Sequence, residues 1–216
     1  MKMNLPNKLT VLRLIMVPIF MVVMLLPVFL ELGSLTESVL SLIGAALFIG
    51  AAVTDALDGK IARRDGLVTD FGKFLDPLAD KFMVIGAMLC VFYSNSTAGN
   101  AILSTIYFFA LIIVVFRELA VTSVRLIASS SKGVVIAANI LGKLKTVMQI
   151  VAISSAMIEP VLLRSISHLL PEGAIPTALY SLPPITVIST VAMIYLTIHS
   201  GINYIVGAWK YLDHTK

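Results

Sequence analysis

The chain has 216 residues, 58% of them hydrophobic and only 13% charged, with a formal net charge of +4 and a mean hydropathy of +0.98. Soluble domains are about half apolar and a quarter charged, so a soluble chain of this length could not hide that much apolar surface. An ordinary soluble domain is excluded, and the positive charge reads as loop lysines and arginines beside anionic lipid rather than as a nucleic-acid footprint.

In chain order, the opening "NLPNKLTVLRL" has Pro6 and Asn7 ahead of a helical pattern. It predicts a short N-terminal interfacial helix leading into the first span. Six spans follow, at about 9–30, 35–61, 72–93, 101–127, 141–157 and 183–205. The first lacks a small-residue cleavage site and carries Pro18 and Pro27, so it reads as retained rather than as a signal peptide. Gly44, Ala45, Ala46, Gly50, Ala51 and Ala52 crowd the second span with small residues, which allows close helix packing. The apolar run at 82–93 is shorter than the roughly 20 residues a crossing needs, so the third span must extend into a polar half. Cys90 lies within that run as the only cysteine. It forms no intramolecular disulfide and reads as a small buried residue.

Charge sets the orientation. Every basic residue except Arg164 lies near a terminus, around the connection between spans two and three, or around that between four and five. The positive-inside rule makes that side cytoplasmic, with both termini inside. The polar halves of spans two to five then share the cytoplasmic end. Charges in a membrane segment face a bundle interior or a wet cavity. The expected architecture is an all-α integral membrane protein in one domain, 1–216, with a polar cavity open to the cytoplasm.

The stretch "TDALDGKIARRDGLVTDFGKFLDPLADK" carries the chemistry. Asp55 and Asp58 are i and i+3 on one helix face, and Gly72, Asp76 and Asp80 run i, i+4, i+8 up the next helix. The short connection predicts antiparallel neighbours whose acidic faces meet. Four carboxylates at one point repel strongly in a low dielectric unless something positive sits among them. Lys73 and Lys81 are not on the Asp76/Asp80 face. Clustered oxygen ligands suit a hard cation such as Mg²⁺ or Mn²⁺. More than two carboxylates without His or thiolate argue for a pair of ions and against zinc. Asp65 and Asp70 read instead as solvated helix-end residues. Gly59, Ala62 and Gly72 leave the helix surfaces clear, and Arg63 is placed to grip a phosphate with its planar fork. The pattern describes a diphosphate site, and its depth points to a lipid with a diphosphate head.

The spacing Asp55-x2-Asp58-Gly59-x2-Ala62-Arg63-x8-Gly72-x3-Asp76-x3-Asp80 resembles, at every defined position, the signature of the CDP-alcohol phosphotransferase family. The segments "NLPNKLTVLRLIMVP", "FRELAVTSVR" and "GKLKTVMQ" are similar to the phosphatidylglycerophosphate synthase branch of that family. The resemblance implies six transmembrane helices, a homodimer, and a site in the cell (plasma) membrane that faces the cytoplasm. It implies transfer of a phosphatidyl group from CDP-diacylglycerol to an alcohol, with release of CMP. By motif position it implies that Asp55, Asp58, Asp76 and Asp80 hold a pair of Mg²⁺ or Mn²⁺ ions. Asp80 would also act as general base, and Asp58, Gly59, Ala62, Arg63 and Gly72 would bind the CDP moiety. For this branch the implied acceptor is sn-glycerol 3-phosphate, whose hydroxyl attacks the phosphatidyl phosphorus directly.

That acceptor is an anion and needs further cations. Arg117, Arg125, Lys143 and Lys145 are the candidates, with positive-inside anchoring as the competing role. Arg117 and Arg125, eight residues apart, share a helix face. Glu118 is placed to pair with one of these cations, whereas His168, His199 and His214 stand apart from the cluster. Inositol phosphate, serine or phosphatidylglycerol as acceptor would keep the same chemistry. An intramembrane prenyltransferase would carry two aspartate motifs on distant helices and more spans. An intramembrane cation transporter would show duplicated halves with acids near the midplane, but the C-terminal half has no second acidic motif.

Overall fold

The computed structural model describes residues 4–64, 69–132, 140–171, 173 and 175–209; of 5–6, 58–63, 70, 73 and 128–132 it describes the backbone alone. Among the described residues there are seven helices and no strand: α1 (Leu5–Phe29), α2 (Ser34–Arg64), α3 (Asp70–Thr97), α4 (Ala101–Lys132), α5 (Ile140–Ser167), α6 (Thr177–Ser181) and α7 (Pro184–Ala208).

The separate interfacial helix expected at the N-terminus is absent among these residues. "NLPNKLTVLRL" forms the first turns of α1 itself. The Asn4 side chain accepts from the Asn7 backbone N–H at 3.1 Å, and Pro6 stands in the first turn, where its missing donor is not needed. Pro18 and Pro27 lie inside α1 without ending it.

Among the described residues five segments are long and apolar enough to cross a membrane: Asn7–Phe29, Ser34–Leu57, Ala101–Ile127, Ile140–Ser167 and Pro184–Ala208. The described elements are thus all helical, and their length and composition suit a membrane protein. α3 has 28 residues, but its first turns carry Asp70, Lys73, Asp76, Asp80 and Lys81, which keep it out of that apolar set. Its second half lies at the centre of the bundle, with Met83, Val84, Ala87, Met88, Cys90 and Val91 buried against α1, α4 and α5.

Cross-helix contacts sort the helix ends into two groups. Arg13 meets Asp55, Lys81 meets Thr122 and Arg125 meets Tyr204 at one end. Phe29 meets Tyr93, Arg164 pairs with Glu37, and Asn100 donates to the Ser181 carbonyl at the other. The long helices therefore alternate in direction, and the aspartate motif lies at the first end.

Small residues let the helices approach. Phe20 and Phe48 join α1 to α2 with ring centroids 6.0 Å apart, and Gly44 lies directly against Met24. Ala45, Ala51 and Ala52 are buried in such contacts, whereas Ala46 is exposed and Gly50 borders open space. α7 turns a stripe of Thr186, Ser189, Thr190, Thr197, Ser200 and Gly201 inward. Without a hydrophobic drive between helices in lipid, such contacts rest on close packing and hydrogen bonds. Ser155 and Ser189 hydroxyls are 2.9 Å apart, and Thr190 donates to the Tyr107 hydroxyl at 3.2 Å.

The start of α7 has no side-chain cap of its own. Glu159 of α5 supplies one. Its Oε1 accepts from Ile185 N at 3.0 Å, and its Oε2 accepts from Thr186 N at 2.6 Å and Thr186 Oγ1 at 2.8 Å. A buried carboxylate is satisfied there by orphan donors and the positive end of the helix dipole. Glu159→Gln leaves an amide group facing donors and is expected to lower stability by about 1–3 kcal/mol. The thermal midpoint of the detergent-purified protein checks this; an unchanged midpoint would contradict the capping role.

Candidate active site

α2 carries Asp55 and, less than one turn later, Asp58; α3 carries Gly72, Asp76 and Asp80. The two helices touch each other only slightly, whereas α1 packs extensively on both. Asp55 nonetheless lies within charge range of Asp80, so the acidic faces meet as expected, with α1 packed across both helices. Arg13 Nη1 donates to Asp55 Oδ1 at 2.5 Å, and Thr10 Oγ1 donates to Asp76 Oδ1 at 2.6 Å. Arg13 is only 1% exposed. Its charge is held at the acidic cluster instead of reaching out to lipid headgroups.

Asn7, one turn before Thr10, completes this contact. Thr69 Oγ1 donates to Asn7 Oδ1 at 3.0 Å and accepts from Gly72 N at 3.0 Å, which caps α3. A Cβ at residue 72 would fall 2.9 Å from Asn7 Oδ1 and 3.3 Å from Thr69 Oγ1. A side chain at position 72 would have to displace the Asn7 carboxamide and the Thr69 hydroxyl that cap α3, so the close approach of α1 favours glycine there.

Asp80 is half-buried one turn beyond Asp76. It lines a small pocket with Lys81, Val84, Ile85, Val114, Glu118, Lys145 and Gln149. It feels repulsion from Asp55 and Glu118 and attraction from Lys145 and Arg13. Glu118 accepts from Lys145 Nζ and, at 3.0 Å, from Arg117 Nη1. Two cations on one carboxylate leave net positive charge next to Asp80.

Of the four cations expected to hold an acceptor phosphate, Lys145 is brought to Asp80 and Arg117 to the neighbouring Glu118. Lys143 is exposed on α5. Arg125 does share the α7-facing side with Arg117, but it is exposed, with its guanidinium 5.7 Å from the Tyr204 ring and Nε donating to the Tyr204 hydroxyl at 3.4 Å. Lys81 donates to Thr122 Oγ1 at 2.6 Å, off the aspartate face as its spacing required. Asp58, Gly59, Ala62 and Arg63 sit on the last turns of α2, and their side chains lie outside the described residues.

The donor chemistry fits a hard divalent cation. Asp55, Asp76 and Asp80 offer oxygen only, while Cys90 is buried in the core and His199 stacks on Tyr195. Among the described residues no three such side chains gather closely enough to enclose an ion by themselves; Asp58, the fourth carboxylate, is not among them. A larger cavity of about 610 Å³ lies at the opposite end, lined by Glu31, Glu37, Tyr93, Asn95 and Arg164, and includes none of the aspartates.

Asn7, Thr10 and Arg13 are the site residues that sequence reasoning missed. The signal was present: Asn7, Thr10, Arg13, Val17, Phe20 and Met24 are all buried at three- and four-residue spacing. That is one helix face, polar at the site and apolar below it.

The family model for CDP-alcohol phosphatidyltransferases matches residues 3–212. A CDP-diacylglycerol–glycerol-3-phosphate 3-phosphatidyltransferase of Bacillus subtilis is 38% identical over 212 residues, covering 97% of this chain and 97% of that protein. A probable phosphatidylglycerophosphate synthase of Mycobacterium tuberculosis is 33% identical over 207 residues, covering 96% and 82%. A CDP-diacylglycerol–glycerol-3-phosphate 3-phosphatidyltransferase of Wigglesworthia glossinidia brevipalpis is 36% identical over 162 residues, covering 73% and 78%. The carboxylates on α2 and α3 thus stand in a chain that matches this family along nearly its whole length, and the chain belongs to the CDP-alcohol phosphatidyltransferase family.

Proposed function

We infer that the chain transfers the phosphatidyl group of CDP-diacylglycerol to sn-glycerol 3-phosphate, giving phosphatidylglycerophosphate and CMP. The observation that carries this reading is the pocket in which Asp80 meets Lys145 and Glu118, with Arg117 paired to that same Glu118, so that a carboxylate stands beside net positive charge. The names of the relatives point to the same acceptor.

Asp55, Asp58, Asp76 and Asp80 would hold a pair of Mg²⁺ or Mn²⁺ ions. Bound there, the ions would neutralise charge on the diphosphate of the donor lipid. Arg63 would grip a phosphate through two parallel N–H donors, and the small residues Gly59 and Ala62 would leave room for the CDP group. Arg13 and Thr10 orient Asp55 and Asp76, so those carboxylates are fixed before substrate arrives. Lys145 and Arg117 would receive the acceptor phosphate. Asp80 takes the proton from the acceptor hydroxyl. A bond forms between that oxygen and the phosphorus bearing the diacylglycerol, and the bond from that phosphorus to the CMP oxygen breaks. Geometry matters here before basicity does.

α3 would be a further crossing beside the five apolar ones, because its charged turns face the bundle and the site rather than lipid. Both termini and the site would face the cytoplasm, since the described basic side chains other than Arg164 gather at the aspartate end. The whole chain would act as one domain in the cell membrane, as a homodimer. The test is CMP release by the detergent-purified protein from CDP-diacylglycerol. We expect release only when sn-glycerol 3-phosphate and Mg²⁺ or Mn²⁺ are both present. Absence of CMP from folded protein under those conditions would overturn the reading.

A further inference from the structure

The pocket beside Asp80 holds one side chain that these roles leave unused. Gln149 lies one turn beyond Lys145 on α5 and is 2% exposed. Its Nε2 has no hydrogen-bond partner among the described residues, although leaving a buried donor unmet is costly. Gln149 lines the pocket with Asp80, Glu118 and Lys145, and the remaining walls include Val84, Ile85 and Val114, whose side chains offer no hydrogen bond.

Size limits what can enter. The pocket measures about 10 Å³, and a single water needs about 10–15 Å³ on that measure. One oxygen fits and a phosphate does not. Depth limits it further. Val84 and Ile85 follow Asp80 toward the buried middle of α3, and Gln149 follows Lys145 in the same direction on α5. An oxygen in the pocket is therefore farther than Asp80 from the helix ends that carry Asp55 and Arg63. The attacking oxygen has to reach phosphorus held at those ends, so the oxygen in the pocket is a different one.

We propose that Gln149 is a specificity-determining residue whose carboxamide binds the acceptor's non-reacting hydroxyl, on the carbon next to the attacking one. The inference rests on the phosphatidyl-transfer reading above and deepens it: the acceptor class is a phosphorylated vicinal diol. A carboxamide both donates and accepts, which suits a hydroxyl, while the nearby cations suit phosphate.

The experiment compares sn-glycerol 3-phosphate with 1,3-propanediol monophosphate. The analogue keeps the attacking hydroxyl and the phosphate but lacks the middle hydroxyl. The native protein is expected to favour the diol by about tenfold or more in kcat/KM, because a site built to bind a hydroxyl rejects the analogue without it. Gln149→Met keeps length and should bring the diol down to the level of the analogue. The value for the analogue and the KM for CDP-diacylglycerol should stay put. A Met variant that keeps the native preference overturns the assignment. So does an equal loss on both acceptors, which would mean packing or a resident water. If the Met variant does not purify folded, Gln149→Asn, which withdraws the amide by one methylene, should lose the preference in the same way. A native protein with no preference contradicts the proposal by itself. No product from either acceptor overturns the parent reading instead, and is told apart from a loss of preference alone.

Discussion

Asp80→Asn is expected to lower turnover by at least about a hundredfold, the usual scale for losing a positioned general base. Asparagine keeps the shape of the side chain but cannot take a proton. Nothing else in the pocket replaces it. Glu118, the next carboxylate, is committed to Lys145 and Arg117, and moving it would leave those cations without their partner. The CDP-lipid contacts proposed for Arg63, Gly59 and Ala62 do not pass through Asp80. Equilibrium binding of CDP-diacylglycerol should therefore stay within a few-fold of native. Turnover within tenfold of native would remove Asp80 from the role of base. Loss of binding and turnover together would make it a metal ligand only.

Chelation should have a comparable effect. Arg13 is buried against Asp55 and Thr10 gives Asp76 only a neutral donor, so the cluster carries more negative than positive charge even before a diphosphate arrives. Bringing such a substrate to that face without added cations opposes like charges in a low dielectric. EDTA is therefore expected to abolish CMP release, and excess Mg²⁺ or Mn²⁺ to restore it. Zinc, which favours sulfur and nitrogen ligands, should restore it poorly. Undiminished release after exhaustive chelation would refute the carboxylates as a metal site.

Much of this was legible in the sequence because membranes restrict the options. The apolar runs became α1, α2, α4 and α7 close to their expected bounds, while α5 runs ten residues past the expected end, through Pro160 to Ser167. The asymmetry of lysine and arginine foretold which helix ends lie together. Glu118 was expected to pair with one cation and pairs with two. Other features were hidden for physical reasons. Arg13 reads as a positive-inside anchor, and only the packing of α1 across α2 and α3 turns it toward Asp55. The short link between α2 and α3 suggested that their acidic faces meet, and Asp55 does act on Asp80; that α1 packs across both was not legible, because chain proximity does not fix which helix fills the groove. Glu159 caps a helix that begins 25 residues later, a contact set by the α5–α7 pairing and not by local pattern. Gly72 looked like clearance for a substrate, and its nearest obstacle is the side chain of Asn7.

The most direct test of the account is an acceptor panel. Purified protein with Mg²⁺ and labelled CDP-diacylglycerol would be offered sn-glycerol 3-phosphate, inositol phosphate, inositol, serine and phosphatidylglycerol in turn, with the lipid product identified by mass. The account predicts phosphatidylglycerophosphate from sn-glycerol 3-phosphate and no lipid product from the others. A product formed preferentially from another alcohol would contradict it.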